Sequence, residues 1–219
     1  MPREIKNVGA SVRARLLSLA QRQGADFQLI VTRYALERFL YRLGVSPYRD
    51  RFILKGAMLF AIWLDDPYRP TRDVDFLGFG DNETEAVAEI FRKVCAVEVA
   101  DDGVVFDVNK LRAESTREDT DYGGIRVQTQ ATVGGARVPI RIDIGFGDVV
   151  TPRPAEIEYP ALLDAPPPKL RAYPKETVVA EKFEALVSLG HSNSRMKDFY
   201  DLWMLSRYFE FEQKTLAVC

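Results

Sequence analysis

Two short segments of the chain alternate carboxylates with apolar residues. In Thr71-Arg72-Asp73-Val74-Asp75-Phe76, an extended backbone puts Asp73 and Asp75 on one face and Val74 and Phe76 on the other. In Pro139-Ile140-Arg141-Ile142-Asp143-Ile144-Gly145-Phe146, the same alternation sets Arg141 and Asp143 opposite Ile140, Ile142, Ile144 and Phe146. Each segment therefore reads as a strand with one apolar face and one carboxylate-bearing face. If the two pair in register, Asp73, Asp75 and Asp143 converge. Convergent carboxylates repel unless a cation sits among them. Oxygen-only ligands suit Mg2+, which commonly joins protein carboxylates to substrate phosphates. Two such ions would stabilise the attacking and leaving oxygens of an in-line phosphoryl displacement. The chemistry expected is transfer to or from a nucleotide phosphate. An isolated Asp-x-Asp is ordinarily a solvated strand edge. Here three features favour a metal site: Lys55-Gly56 closing an upstream strand, the repeat of the pattern at Asp143, and Asp148 after Gly147.

Two later segments add polar groups. Lys182 lies among apolar residues in Val178-Val179-Ala180-Glu181-Lys182-Phe183, where it could neutralise a triphosphate or simply snorkel and pair with Glu181 or Glu184. In Arg195-Met196-Lys197-Asp198-Phe199-Tyr200-Asp201-Leu202-Trp203, Asp198 and Asp201 share a helix face. They could belong to the site or form helix ion pairs, Arg195 with Asp198 or Lys197 with Asp201. Met196, Phe199, Leu202 and Trp203 read as the buried stripe of that helix. His191, in Gly190-His191-Ser192-Asn193, reads as an exposed or capping residue in a helix-ending turn.

The elements that must position these groups fit a chain of 219 residues, 47% hydrophobic, which can bury a proper core. Lys and Arg total 30 against 32 Asp and Glu, so any bound RNA must be held by a local patch, for which Arg195, Lys197 and Arg207 are candidates. One histidine and two cysteines, Cys95 and Cys219, exclude a Cys/His zinc site and argue against a disulfide framework. No apolar run reaches the ~20 residues of a membrane span, and the charged start lacks a signal-peptide core. A cytoplasmic protein with no membrane partner is expected.

The first fifty residues read as two helices, the first capped at Ser11 with a stripe of Val12, Leu16, Leu17 and Leu19, the second stopped at Gly44. Strands follow at residues 52–54 and 71–79, separated by a short buried helix that Asp65-Asp66-Pro67 breaks. A helix is expected over residues 84–97, and strands over 104–108, 125–133 and 138–146. Gly134-Gly135 marks a hairpin between the last two. Residues 152–174 hold seven of the twelve prolines and read as an extended connection. Helices close the chain at 176–189 and 195–209. The expected organisation is a core with N-terminal helices over residues 1–150, a Pro-rich connection over 151–174 and a C-terminal helical region over 175–219. Residues 209–219 do not read as a complete terminal element, which suggests truncation.

Taken in order, these segments resemble the AbiEii family of nucleotidyltransferase toxins, the MenT-type toxins among them. The segments that carry the resemblance are Phe52-Ile53-Leu54-Lys55-Gly56-Ala57-Met58-Leu59, Thr71-Arg72-Asp73-Val74-Asp75-Phe76, Arg141-Ile142-Asp143-Ile144-Gly145-Phe146-Gly147-Asp148, Val179-Ala180-Glu181-Lys182-Phe183 and Ser194-Arg195-Met196-Lys197-Asp198-Phe199-Tyr200-Asp201-Leu202. No single motif is decisive; their order and combination are specific. The resemblance implies an α/β (α+β) fold: a DNA-polymerase-β-like nucleotidyltransferase core with a mixed sheet, plus helical N- and C-terminal segments. It implies Mg2+ as cofactor, an NTP as substrate, tRNA or another RNA as acceptor and a cognate antitoxin as partner in a toxin–antitoxin or abortive-infection system. Asp73 and Asp75 would hold the metal, with Asp143 as the third carboxylate. Thr71 and Lys182 would lie at the nucleotide phosphates, and Asp198 would complete the catalytic set. The wider superfamily pattern begins with Gly-Ser. Here the pair is Gly56-Ala57, so the phosphate contact must come from Lys55, Thr71 or backbone N–H groups. Two other readings stand beside this one: a nucleotidyltransferase acting on a small molecule or a protein hydroxyl, and a non-catalytic nucleotide-binding module.

Overall fold

A computed structural model describes residues 7–64, 71–116, 123–190 and 196–219. The Asp65-Asp66-Pro67 breaker, His191 and Arg195 lie outside the described residues. Helices α1 (Val8–Gln23) and α2 (Phe27–Val45) open the chain. Strand β1 (Phe52–Lys55) passes through a tight turn, Gly56–Leu59, into the single turn of α3 (Phe60–Trp63). Then come β2 (Asp73–Gly78), α4 (Thr84–Cys95), β3 (Val104–Phe106), β4 (Arg112–Thr116), β5 (Gly124–Val133) and β6 (Ala136–Phe146). Strands β7 (Ala155–Glu158) and β8 (Lys169–Ala172) precede α5 (Lys175–Leu189), α6 (Met196–Tyr208) and α7 (Gln213–Leu216).

The strands form one mixed sheet in the order β3-β5-β6-β2-β1-β8-β7, with β4 also paired to β5. Strand β2 runs parallel to β6 and antiparallel to β1. The β5–β6 hairpin turns at Gly134-Gly135, where both residues have positive φ (52° and 85°), a conformation glycine takes without steric cost. One face of the sheet is apolar. Val74, Phe76, Val127, Ile140, Ile142 and Ile144 are buried there with the inner sides of α2 and α4. Each such side chain contributes about 1.5–3 kcal/mol on burial, so the alternation in β2 and β6 sets which way their carboxylates must point.

Helix α2 is more deeply buried than an amphipathic pattern implies. Glu37, Arg38 and Arg42 are buried along with its apolar residues. Each has partners: Arg42 pairs with Asp102 at 2.7 and 3.1 Å, Arg38 pairs with Glu37 and donates to the Pro166 carbonyl while its Nε is left without a hydrogen bond, and Leu162 N–H donates to Glu37.

Several local expectations change. Asn7, not Ser11, caps α1, accepting from Ala10 N–H, and only Val12 and Leu16 of the expected stripe are buried while Leu17 is exposed. Gly44 does not stop α2, which continues to Val45. A Cβ there would stand 2.6 Å from the Lys169 carbonyl oxygen, so glycine lets α2 approach β8. Strand β4 was not visible as a strand. The Pro-rich residues 151–174 hold two short strands: β8 runs parallel beside β1 and antiparallel to β7. In α6 the expected stripe is turned outward. Met196, Phe199 and Trp203 are exposed, and Asp201, Met204 and Leu205 are buried instead.

Candidate active site

The polar face of the sheet carries two parallel rows of side chains, because residues directly opposite in neighbouring strands share a face. In the first row, Glu114, Arg126, Asp143, Asp75 and Lys55 lie side by side across β4, β5, β6, β2 and β1. In the second, Arg112, Gln128, Arg141 and Asp73 do the same across β4, β5, β6 and β2. The parallel β2–β6 register thus places Asp75 opposite Asp143 and Asp73 opposite Arg141.

The two ends of the first row differ. Asp143 is held by a two-pronged pair with Arg126, at 2.7 and 3.1 Å. Lys55 leans away from Asp75: its Nζ pairs with Glu181 of α5 and, at 3.2 Å, with Asp148 after β6. Burial opposes the charged form of Lys55, but Glu181, Tyr173 and Asp148 outweigh it and hold the ammonium protonated. Asp75 is left as the least compensated carboxylate. Burial, and then the charge of Asp143, push its pKa up to about 6, with Asp73 and Glu181 adding to the rise and Lys55 opposing it. Asp73 is more exposed and meets Arg141 only at 3.8 Å.

Gly56 makes room in front of Asp75. Its φ is +73°, and a Cβ built there would fall on the Asp75 carboxylate. Glycine is required on both counts, and the Gly56 backbone lies directly against that carboxylate. Gly145 lies next door, where a Cβ would meet Lys55 Nζ at 3.5 Å, an ordinary contact. Thr71 sits at the entry to β2, half-buried, its hydroxyl donating to the Asp73 carbonyl.

The C-terminal helices join through the sheet edge. Tyr173 N–H donates to Leu54 O, extending the β8–β1 pairing, and α5 starts two residues later. That launch brings Glu181 to Lys55. Lys182, the next residue, does not pair with Glu181 or Glu184. It reaches α6, donating to Asp198 at 2.7 Å and pairing with Asp201 at 2.7 Å. Asp201 is fully buried. One lysine of α5 is thus shared between two aspartates of the neighbouring helix, and the Arg195–Asp198 pair expected within α6 falls outside the described residues.

The sequence-chosen groups fall into two clusters. Lys55, Gly56, Thr71, Asp73, Asp75 and Asp143 lie on or beside the polar sheet face, and Lys182 with Asp198 lies between α5 and α6. Glu181 ties the second cluster to the first. Arg126 escapes the sequence reading because it acts through Asp143, 17 residues away: an Arg at an alternating strand position carries no local signal. Among the described residues, no three acidic, histidine or cysteine side chains already form a closed metal cage. Mg2+ typically takes only one or two protein carboxylates together with substrate phosphates. Asp73 and Asp75 on one face, the elevated pKa of Asp75 and the bare Gly56 backbone suit that arrangement.

Residues 38–219 match the family model described as nucleotidyl transferase AbiEii toxin, type IV TA system. The chain belongs to this family, and it is a nucleotidyltransferase of the type IV toxin–antitoxin class. Two solved Helicobacter pylori structures share the fold. JHP933 is 15% identical with a TM-score of 0.55, the match covering 83% of this chain and 67% of that one. A putative nucleotidyltransferase is 16% identical with a TM-score of 0.54, covering 83% and 69%. A comparison with curated proteins returns no match. Among the described residues, no helix is long and apolar enough to cross a membrane.

Proposed function

We propose that this chain is an Mg2+-dependent toxin that transfers NMP from an NTP to RNA, with tRNA as the first candidate acceptor, and that a cognate antitoxin restrains it. The observation that carries this reading is the juxtaposition of Asp75 with Asp143 across β2 and β6, next to Asp73 and beneath the glycine backbone at Gly56. In the reaction, an acceptor hydroxyl oxygen forms a bond to the α-phosphorus of the NTP. The bond from that phosphorus to the pyrophosphate oxygen breaks, pyrophosphate leaves, and the hydroxyl proton passes to solvent.

Asp73 and Asp75 would hold the metal, with Asp143 available as a third carboxylate if Arg126 releases it. When bound, Mg2+ would offset the charge on the phosphate oxygens and on the leaving pyrophosphate. Lys55, Thr71 and the Gly56 backbone would meet the triphosphate where the family pattern has a serine hydroxyl. Lys182 would approach the phosphates from α5, held in place by Asp198 and Asp201. Glu181, through Lys55, would set the position of α5 against the sheet.

The test supplies each of the four labelled NTPs in turn with Mg2+, together with cellular RNA, protein and small-molecule hydroxyl acceptors. Label in RNA supports the reading. Label only in protein or a small molecule replaces the acceptor, and NTP binding without transfer to any acceptor leaves a nucleotide-binding module.

A further inference from the structure

The two halves of the polar sheet face differ in cover. Over β1, α5 reaches down through Glu181 to Lys55. Over β4, β5 and β6 the face is open: Arg112, Gln128, Thr132, Arg137, Pro139 and Arg141 are all exposed and share it. Glu114 of β4 is exposed on the same face, and the charges of the open part are otherwise basic. Beyond Asp73 and Asp143, the residues on this side of β6 are Arg141, Pro139 and Arg137, and the row outward from Asp73 runs Arg141, Gln128, Arg112. Lys110, bonded to Gln130 at 3.0 Å, lies at its edge, but its charge is offset by Asp107 at 3.2 Å. Arg112 and Arg137 make no ion pair with any described residue. In a chain whose net charge is −2, the three arginines Arg112, Arg137 and Arg141 form a local field of opposite sign leading to the carboxylates.

We propose that this open face is the acceptor track: the backbone of a single nucleic-acid strand lies along β6 and across β5 and β4, its phosphates on Arg137, Arg141 and Arg112 and its 3′ end at Asp73 and Asp75. The spacing fits. Arg137 and Arg141 are four strand residues apart, about 13 Å, and Arg112 lies two inter-strand steps from Arg141, about 10 Å. Those distances span about three or four nucleotides at the rise of a stacked strand. The face carries no aromatic platform on these strands, so it grips phosphate without reading bases. It sets the RNA patch apart from Arg195, Lys197 and Arg207, the candidates that the sequence offers. The inference rests on RNA being the acceptor.

The test uses the full chain with the double substitution Arg112→Gln and Arg137→Gln, both at exposed positions clear of the carboxylates. Binding of a fluorescent single-stranded RNA is titrated against salt, and KM is measured separately for RNA and for NTP. The double variant is expected to lower the log–log salt slope by about 1.4, two contacts at ~0.7 each. It should raise KM for RNA on the order of tenfold and shift KM for NTP less than twofold, and Lys197→Gln with Arg207→Gln should leave the salt slope unchanged. If wild-type protein labels RNA but the double variant keeps the wild-type slope and KM, the track is wrong and the RNA reading survives. If wild-type protein labels a protein or small molecule and not RNA, both fall.

Discussion

Lys55 and Asp75 stand directly opposite each other in the β1–β2 ladder, yet the lysine spends its charge on Glu181 and Asp148. A simple cross-strand ion pair would have neutralised Asp75 and closed the site. Instead Lys55 links the sheet to α5, and Asp75 keeps a carboxylate whose charge is disfavoured by its surroundings. A cation arriving with a nucleotide would relieve that repulsion.

This has a measurable pH signature in metal-free protein. The pKa of Asp75 rises from its ordinary 3.8 to about 6 on folding. Between those values the folded state binds more protons than the unfolded state, so this group's contribution to stability falls as pH rises. The penalty is complete above pH ~6 and absent below pH ~4. A two-unit shift corresponds to about 3 kcal/mol. Asp75→Asn should therefore raise stability by about 1–3 kcal/mol at pH 7 and change it little at pH 4. Urea unfolding at the two pH values, in EDTA, checks this. Equal effects at both would show that Asp75 is not a strained carboxylate.

Gly56→Ala tests the space before Asp75. The substitution forces an L residue to φ +73° and sets a methyl group on the carboxylate. The backbone cost alone is about 1–2 kcal/mol. Nucleotide incorporation should fall at least tenfold, more than the loss of folded protein accounts for. Activity that simply tracks the folded fraction, followed by circular dichroism, would remove Gly56 from the phosphate site.

Lys182 has a structural duty beside its proposed phosphate contact. Removing it leaves the buried Asp201 without its lysine, and breaking such a buried pair costs about 3–5 kcal/mol. Lys182→Met should thus lower thermal stability markedly. Adding Asp201→Asn should recover part of that stability without recovering activity. Recovery of both would assign Lys182 a purely structural role.

Much of the candidate site was legible because β2 and β6 alternate cleanly: once Val74, Phe76, Ile142 and Ile144 are buried, Asp73, Asp75 and Asp143 have only one face left. Gly134-Gly135 announced its hairpin for an equally local reason. What the residues could not reveal depends on long-range pairing. The prolines of 151–174 say extended chain, but only the partner β1 makes β8 a strand. In α6 two faces are both compatible with a helix, and Lys182 of another helix settles that Asp198 and Asp201 turn inward while Phe199 and Trp203 stay out.

The central claim is that Asp73 and Asp75 carry metal-dependent nucleotidyl transfer to RNA. The most direct measurement incubates RNA with labelled NTPs and either wild-type protein or Asp75→Asn, each with Mg2+ and with EDTA. Label should enter RNA only with wild-type protein and Mg2+, and Asp75→Asn, folded and at least as stable, should lose at least ~100-fold in rate. Wild-type rates from Asp75→Asn, or transfer undiminished in EDTA, would contradict the account.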